Sequence, residues 1–362
     1  MIITELNLAD FRNYKRQRVE FSPFVNIVMG ENAQGKSNLL EALYLSAVGR
    51  SPRTARDKEM IRLTCDVAKV KVTAKKKLGV ESVEIILDKA ANKRIAVNRL
   101  PITRMGELMG VIVAVYFSPD EMRIIKDAPS DRRRFMDIAL CQISRSYFYL
   151  LSRYNRIVSQ RNKLLKSGKA TEDTILPWDA QIADAGTLII KTRRGFVENL
   201  SKYAATEHSF LTDNSEVLTL NYESVEGGDK NEVQENYLHQ LLRDRDRDLK
   251  LGVTHTGPHK DDMGVFIGGV DARKFASQGQ QRTAALSIKL AETALSAKLQ
   301  GEQPVLLLDD VLGELDKNRQ KALLKRIGSL QSVITCTHLE DDICCALGEC
   351  KLIRIRSGAV II

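Results

Sequence analysis

Gly30-Glu31-Asn32-Ala33-Gln34-Gly35-Lys36-Ser37 decides the fold, because it fits G-x-x-x-x-G-K-[ST] in the setting that this pattern needs. The apolar run Phe24-Val25-Asn26-Ile27-Val28-Met29 before it reads as a short strand. Asn38 to Val48 after it, N-L-L-E-A-L-Y-L-S-A-V, reads as a helix closed by Gly49. Glycines let the backbone curl until successive N–H groups face inward at phosphate oxygens, and the helix N-terminus adds a favourable dipole. Lys36 is then placed to reach the outer phosphates of a nucleoside triphosphate, and the Ser37 hydroxyl to complete a Mg²⁺ shell. Gly30, Glu31, Asn32, Ala33, Gln34, Gly35, Lys36, Ser37 and Asn38 are the expected nucleotide contacts.

A phosphate loop needs an acidic partner. Val305-Leu306-Leu307-Leu308-Asp309-Asp310 supplies one, a buried parallel strand whose apolar run stops at two carboxylates. Asp309 is expected to hold Mg²⁺ through water, with Asp310 where a base can orient the attacking water. In isolation the same residues could be a core strand ending in a solvated acidic turn. Lys36 and Asp309 stand near opposite ends of the chain, so something folds between the two halves of the site. Shortly before the acidic strand, Ser277-Gln278-Gly279-Gln280-Gln281 opens a strongly helical stretch. Ser277 is a good N-cap, and Gly279 permits close approach of a phosphate; a plain helix cap competes with that reading.

The rest of the chain bounds the partners. The 362 residues carry a net charge of +9, which points to a polyanion or to solvated lysine faces. Six cysteines lack metal-ligand spacing and read as reduced thiols. No apolar run approaches the roughly 20 residues of a membrane span, and the start reads as a strand and not a signal peptide, so a cytoplasmic protein is expected.

Between the two halves of the site the pattern changes. Arg132 to Leu165 contains no glycine or proline, and Met136, Leu140, Ile143, Tyr147, Leu150, Tyr154 and Ile157 make one apolar seam. After a loop expected to contain Gly168 and Pro177, a second helix carries Ile182, Ala185, Ile189, Phe196, Leu200 and Tyr203. The two should pack as a helical hairpin. A strand at 217–222, a helix over 233–250 and a hairpin-like stretch at 263–270 follow. The R-D-R-D-R-D run at 243–248 reads as a solvated helix face.

In order along the chain, L-A-D-F-R-N-Y (8–14), the phosphate loop and its helix (30–44), G-R-S-P-R-T (49–54), F-S-P-D-E-M (117–122), D-R-R-R-F-M-D (131–137), T-G-P-H-K-D-D (256–262), S-Q-G-Q-Q-R-T (277–283) and D-D-V-L-G-E-L-D (309–316) cover nearly its whole length. This arrangement resembles the ATP-binding-cassette (ABC) type ATPases and, among them, the RecF family of bacterial DNA replication and repair proteins, related to the heads of SMC proteins. The resemblance implies an α/β fold: an ABC-type P-loop ATPase head of mixed β-sheets and helices, with an inserted, mostly helical lobe. The head would span 1–118 plus 256–362 and the lobe 119–255. It implies ATP and Mg²⁺ as cofactors, Lys36, Asp309 and Asp310 in catalysis, and Ser37 and Asp309 at the metal. Arg12 and Asn13 would approach the nucleotide. ATP would be sandwiched in a homodimer, with Ser277, Gly279 and Gln280 acting across the interface and Asp316 touching the partner subunit. Slow, DNA-stimulated hydrolysis would release a dimer from gapped or single-strand/duplex junction DNA. RecR and RecO would be partners, and RecA would be loaded onto strands coated by single-strand binding protein.

Departures from the family pattern are few. Relatives often carry glutamate where Asp310 stands. His338 sits where transporter-type cassettes sense the γ-phosphate, or is only a polar strand end. Arg53 and Arg56 contact phosphate or DNA, or merely solvate a loop. No helix-turn-helix, zinc finger or aromatic platform is visible, so DNA contact should be backbone-directed, with Lys75, Lys76, Lys77, Lys89, Lys93, Arg94 and Arg132–Arg134 as candidates. The alternatives are the head of another SMC-like ATPase, a transporter ATPase subunit and a small-molecule P-loop kinase, which has no use for S-Q-G-Q-Q.

Overall fold

The structure, a computed structural model, describes residues 1–338 and 349–361. It opens with the antiparallel pair β1 (Ile2–Phe11) and β2 (Tyr14–Glu20), followed by β3 (Val25–Met29), which runs into the phosphate loop and α1 (Lys36–Val48). β4 (Val67–Lys76), β5 (Gly79–Asp88), β6 (Arg94–Val97) and β7 (Leu100–Ile102) extend the first pair into an antiparallel sheet ordered β2-β1-β4-β5-β6-β7. Alternation sets its two faces. Ala68, Val70, Val72 and Ala74 of β4 point into the core, while Lys69 and Lys71 lie on the other face. β8 (Ala114–Phe117) then starts a second sheet.

The phosphate-loop helix α1 has no polar face, and every residue from Leu39 to Val48 is buried. It is wedged between the sheets, touching β4 and β5 on one side and β8 on the other. It ends, as expected, at Gly49 with φ 72°, and begins at Lys36, slightly before the expected Asn38.

The inserted stretch is built from α2 (Arg123–Lys126), α3 (Pro129–Ile143), α4 (Arg145–Lys166), α5 (Glu172–Leu211), β9 (Leu218–Glu223), α6 (Lys230–Arg243) and α7 (Arg245–Leu251). Three expectations are corrected here. The uninterrupted seam from Arg132 hides a break: Ser144 leaves the helical region at φ −139° and caps α4 by accepting the Tyr147 N–H at 3.3 Å. Pro177 lies inside α5 and not in the loop, beyond the first turn, where its missing N–H leaves the Asp173 carbonyl without its usual helical donor. The R-D-R-D-R-D run is a solvated face only in part, with Arg243, Asp246 and Arg247 exposed. It is broken between α6 and α7 at Asp244, and Asp248 is wholly buried.

The lobe is fixed by charge as well as by its seam. Buried Arg161 donates to Asp179 at 2.7 Å and to Asp248 at 2.6 Å, and His255 contacts the other oxygen of Asp248 at 2.7 Å. Arg245 joins Asp179 to Glu172. Each α7 charge that turns inward therefore has a partner.

The chain returns through β10 (Asp262–Ile267), β11 (Val270–Asp271), α8 (Ala272–Phe275) and α9 (Gln278–Gln300) to β12 (Val305–Asp309), α10 (Lys317–Ile327), β13 (Ser332–Cys336), β14 (Cys350–Arg356) and β15 (Ala359–Ile361). The second sheet is ordered β15-β14-β3-β13-β12-β8, parallel except at β15. Both chain ends thus build one sheet, with β3 and β12 flanking β13. The stretch 119–255 is tied to the residues after it: β9 pairs with β10, and α5 packs along α9. Two motifs close this seam. Arg132 grips Asp262 with two bonds of 2.7 Å, and Arg133 donates to the Asp261 carbonyl at 2.7 Å. Arg132 is buried, which removes it from the expected DNA contacts. No described helix is long and apolar enough to cross a membrane.

Candidate nucleotide site

β3 delivers the loop from the centre of the parallel sheet, and α1 carries it away under Gly35, which takes φ 118°. The loop is tightly braced. A Cβ on Gly30 would stand 2.4 Å from the Ile355 carbonyl oxygen. Ala33 also adopts a left-handed φ of 64°. Lys36 is buried, and its ammonium donates to the carbonyls of Gly30 at 2.6 Å and Glu31 at 3.0 Å. It has no carboxylate partner among the described residues. A buried ammonium satisfied only by two carbonyls, under a left-handed loop, fits an anionic ligand.

The second half of the site meets the first through one hydrogen bond, from Ser37 Oγ to Asp309 Oδ1 at 2.8 Å. Asp309 is buried and accepts two further hydroxyls, Thr335 Oγ1 on Oδ1 at 2.8 Å and Tyr116 on Oδ2 at 3.0 Å. Burial and the adjacent Asp309 carboxylate hold the Tyr116 phenol well above its ordinary pKa, so it stays a donor. Asp310 is exposed, with φ 54° and its N–H on Thr335 Oγ1 at 2.8 Å. A serine hydroxyl and a carboxylate converging from two elements are the oxygen donors that Mg²⁺ takes.

The loop is supported from behind by the second expected contact pair. Asn13 donates to the Gln34 carbonyl at 2.8 Å and accepts from Asn38 at 2.9 Å. The Arg12 guanidinium turns the other way, onto buried Glu41 of α1 at 2.8 and 2.7 Å and onto the Glu59 carbonyl. Arg53 backs Asn38 at 2.8 Å, while Arg56 is exposed. Ser277, by contrast, is exposed at the start of α9. It forms a capping box with Gln280, whose side chain also reaches Glu216 at 2.9 Å. A Cβ on Gly279 would meet nothing closer than 3.6 Å, so this helix start is open to a ligand. Asp316 caps α10. His338 is exposed just past β13, and Cys344 and Cys345 lie outside the described residues.

A family model described as the RecF/RecN/SMC N terminal domain matches residues 2–355. The DNA replication and repair protein RecF of Lachnoclostridium phytofermentans is 40% identical over 363 residues, covering 99% of each chain. The chain belongs to the RecF family. It also superposes on a solved structure of the recombination mediator protein RecF with ATP in the RecFOR pathway, with a TM-score of 0.91, 37% identity and coverage of 99% of this chain and 97% of the other. The head domain of Smc from Pyrococcus furiosus shares the fold, with a TM-score of 0.59 at 16% identity and coverage of 99% and 95%. The expected fold class, an ABC-type head, is therefore the observed one.

Sequence reasoning missed several members of this RecF-family site. Tyr116 and Thr335 carry no local signal, because each reaches Asp309 only through strand pairing, β12 lying between β8 and β13. The turn between β14 and β15 was missed as well: the N–H groups of Gly358 and Ser357 donate to the Gln34 carbonyl at 3.0 Å and to its side chain at 2.5 Å. Cavity size is no guide here. A cleft of about 820 Å³ bounded by Arg56, Lys93, Ile95 and Met105 contains no residue of the loop.

Proposed function

We propose that this chain is an ATP-driven DNA clamp: it binds ATP with Mg²⁺ at residues 30–38, dimerises on it, and releases DNA on slow hydrolysis. The observation that carries this reading is the Ser37–Asp309 bond, which joins two sequence-remote motifs in one pocket. Lys36 would exchange its two carbonyl partners for phosphate oxygens. Ser37 and Asp309 would hold Mg²⁺, which when bound neutralises phosphate charge. Asp310, exposed beside Asp309, would accept a hydrogen bond from the attacking water and orient it.

Dimerisation is supported by the exposed start of α9, whose hydrogen bonds run to Gln280 and Glu216 and not to its own phosphate loop. Ser277, Gly279 and Gln280 of a second copy would cap the γ-phosphate, as helix starts bind anions. The ATP-bound relative of the RecFOR pathway supports the nucleotide and RecR and RecO as partners; RecA would be loaded downstream. Among the DNA candidates, Lys76 and Lys93 already pair with Glu81 and Asp57. The solvent face of the antiparallel sheet offers a better row. Cross-strand register places Arg16, Ala9, Lys69, Ile86 and Arg94 side by side on five strands. Arg16 and Arg94 have no acidic partner among the described residues, while Lys69 between them pairs with Glu84 at 2.9 Å. Gapped or junction DNA would lie on such rows by its phosphates.

The test is sizing with saturating MgATP. Wild type should dimerise, Lys36→Met should lose nucleotide binding, and Ser277→Arg should bind ATP yet stay monomeric. Wild type remaining monomeric, or the Ser277 variant dimerising equally well, contradicts the dimer. Replacing Arg16 and Arg94 by alanine should make the fall of log affinity with log salt shallower, by about one for each phosphate no longer neutralised. Duplex DNA should accelerate ATP hydrolysis, which a small-molecule kinase would ignore.

A further inference from the structure

Asp310 leaves β12 in a backbone geometry that few L-residues adopt, φ 54°. The ladder to β13 ends at the pair Asp309–Thr335, so the Asp310 N–H is the first beyond regular pairing. The Thr335 hydroxyl takes that N–H at 2.8 Å and donates its own proton to Asp309 Oδ1 at 2.8 Å. A hydroxyl has one proton and two lone pairs, so both bonds form at once. Thr335 is wholly buried, and its branched Cβ limits the side chain to few rotamers.

We propose that Thr335 is a positioning residue for ATP hydrolysis, its hydroxyl tying the Asp309 carboxylate to the backbone turn that aims Asp310. This rests on the reading above, in which Asp309 serves the metal and Asp310 the attacking water. Thr335 is the described residue that hydrogen-bonds to both. Through its side chain it limits rotation of the Asp309 carboxylate, and through the Asp310 amide it holds a left-handed turn that would otherwise relax. Ser37 shares Asp309 Oδ1, so the same oxygen links the phosphate loop to this brace.

Thr335→Val keeps size and branching and removes both bonds, whereas Thr335→Ser keeps the hydroxyl. Three measurements on the full chain separate positioning from mere support: the hydrolysis rate at saturating MgATP, ATP affinity in EDTA, and the Mg²⁺ concentration that half-saturates binding of a fluorescent ATP analogue. The valine variant should hydrolyse about ten-fold or more slowly, keep EDTA affinity within about two-fold, and need several-fold more Mg²⁺. Serine should restore the rate to within about three-fold of wild type. Wild-type rate in the valine variant, an equal loss of EDTA affinity, or no rescue by serine overturns the proposal. Asp310→Asn is the control. If it hydrolyses like wild type, the reading of the site fails and the role of Thr335 falls with it. If it is slow while Thr335→Val is not, only the role of Thr335 is lost.

Discussion

Two buried cations set the phosphate loop and the helical lobe apart. Arg161 in the lobe is enclosed by Asp179 and Asp248 at 2.7 and 2.6 Å, each fully buried. Lys36 in the loop is nearly as buried, 6% exposed, yet rests on two backbone carbonyls. The first charge is neutralised for good by its own chain. The second is left for a ligand to neutralise. A buried cation without a carboxylate is therefore the better signpost of a binding site than a buried cation as such.

The sharpest way to break this contrast is Arg161→Ala, which takes the shared cation from two buried carboxylates. Asp179 keeps Arg245 and Asp248 keeps His255, so the substitution should destabilise the protein by about 2–4 kcal/mol in a denaturant titration. A loss below about 1 kcal/mol would mean that the cluster is not structural.

Next in size comes acid. Burial lowers the His259 pKa from 6.5 to about 4, and burial raises that of Asp261 from 3.8 to about 6. As pH falls from 6.5 to 4, the unfolded chain protonates its histidine before the folded one does, and stability drops. As pH falls from 6 to 3.8, the folded chain protonates Asp261 first, and stability rises. The two nearly cancel, so stability around this seam should change little across that window. Asp261→Asn should expose the histidine's share, a loss of about 3 kcal/mol between pH 6.5 and 4. His259→Gln should expose the opposite slope. Melting curves at several pH values check both signs.

Smaller again is Tyr116→Phe, which removes one of the three hydroxyls on Asp309 and should cost about 1–2 kcal/mol of stability without nucleotide. Smallest is Lys36→Met measured without nucleotide, a change of under about 1 kcal/mol in either direction, because no ion pair is broken. A large loss there would put Lys36 in the same class as Arg161.

The sequence carried the parts of the pocket that are local. The loop, α1 and the acidic strand each have a contiguous pattern, and backbone geometry follows directly from it. What it hid were meetings across the fold. Nothing local to Arg12 announces its bond to Glu41 on the core-facing helix α1. Arg132 looks like one of three surface arginines until Asp262 arrives opposite. In the 243–248 run, alternating charge matches a solvated helix, and only the helix break at Asp244 turns Asp248 inward. Ser144 and Pro177 misled for a simpler reason: a residue's usual preference does not say whether a given helix breaks at it. The seam residues Met136, Tyr147 and Tyr154 were read correctly, since burial there follows periodicity alone.

The place of β3 has a consequence for synthesis. Its two neighbours, β13 and β14, are translated last, and so is the turn at Ser357-Gly358 that steadies Gln34. On the ribosome, the antiparallel sheet can close early from local hairpins and cover one side of α1, whereas the parallel sheet must wait for its last strands. A nascent chain halted before β13 thus displays an unpaired β3 and a slack phosphate loop, the kind of surface that chaperones capture.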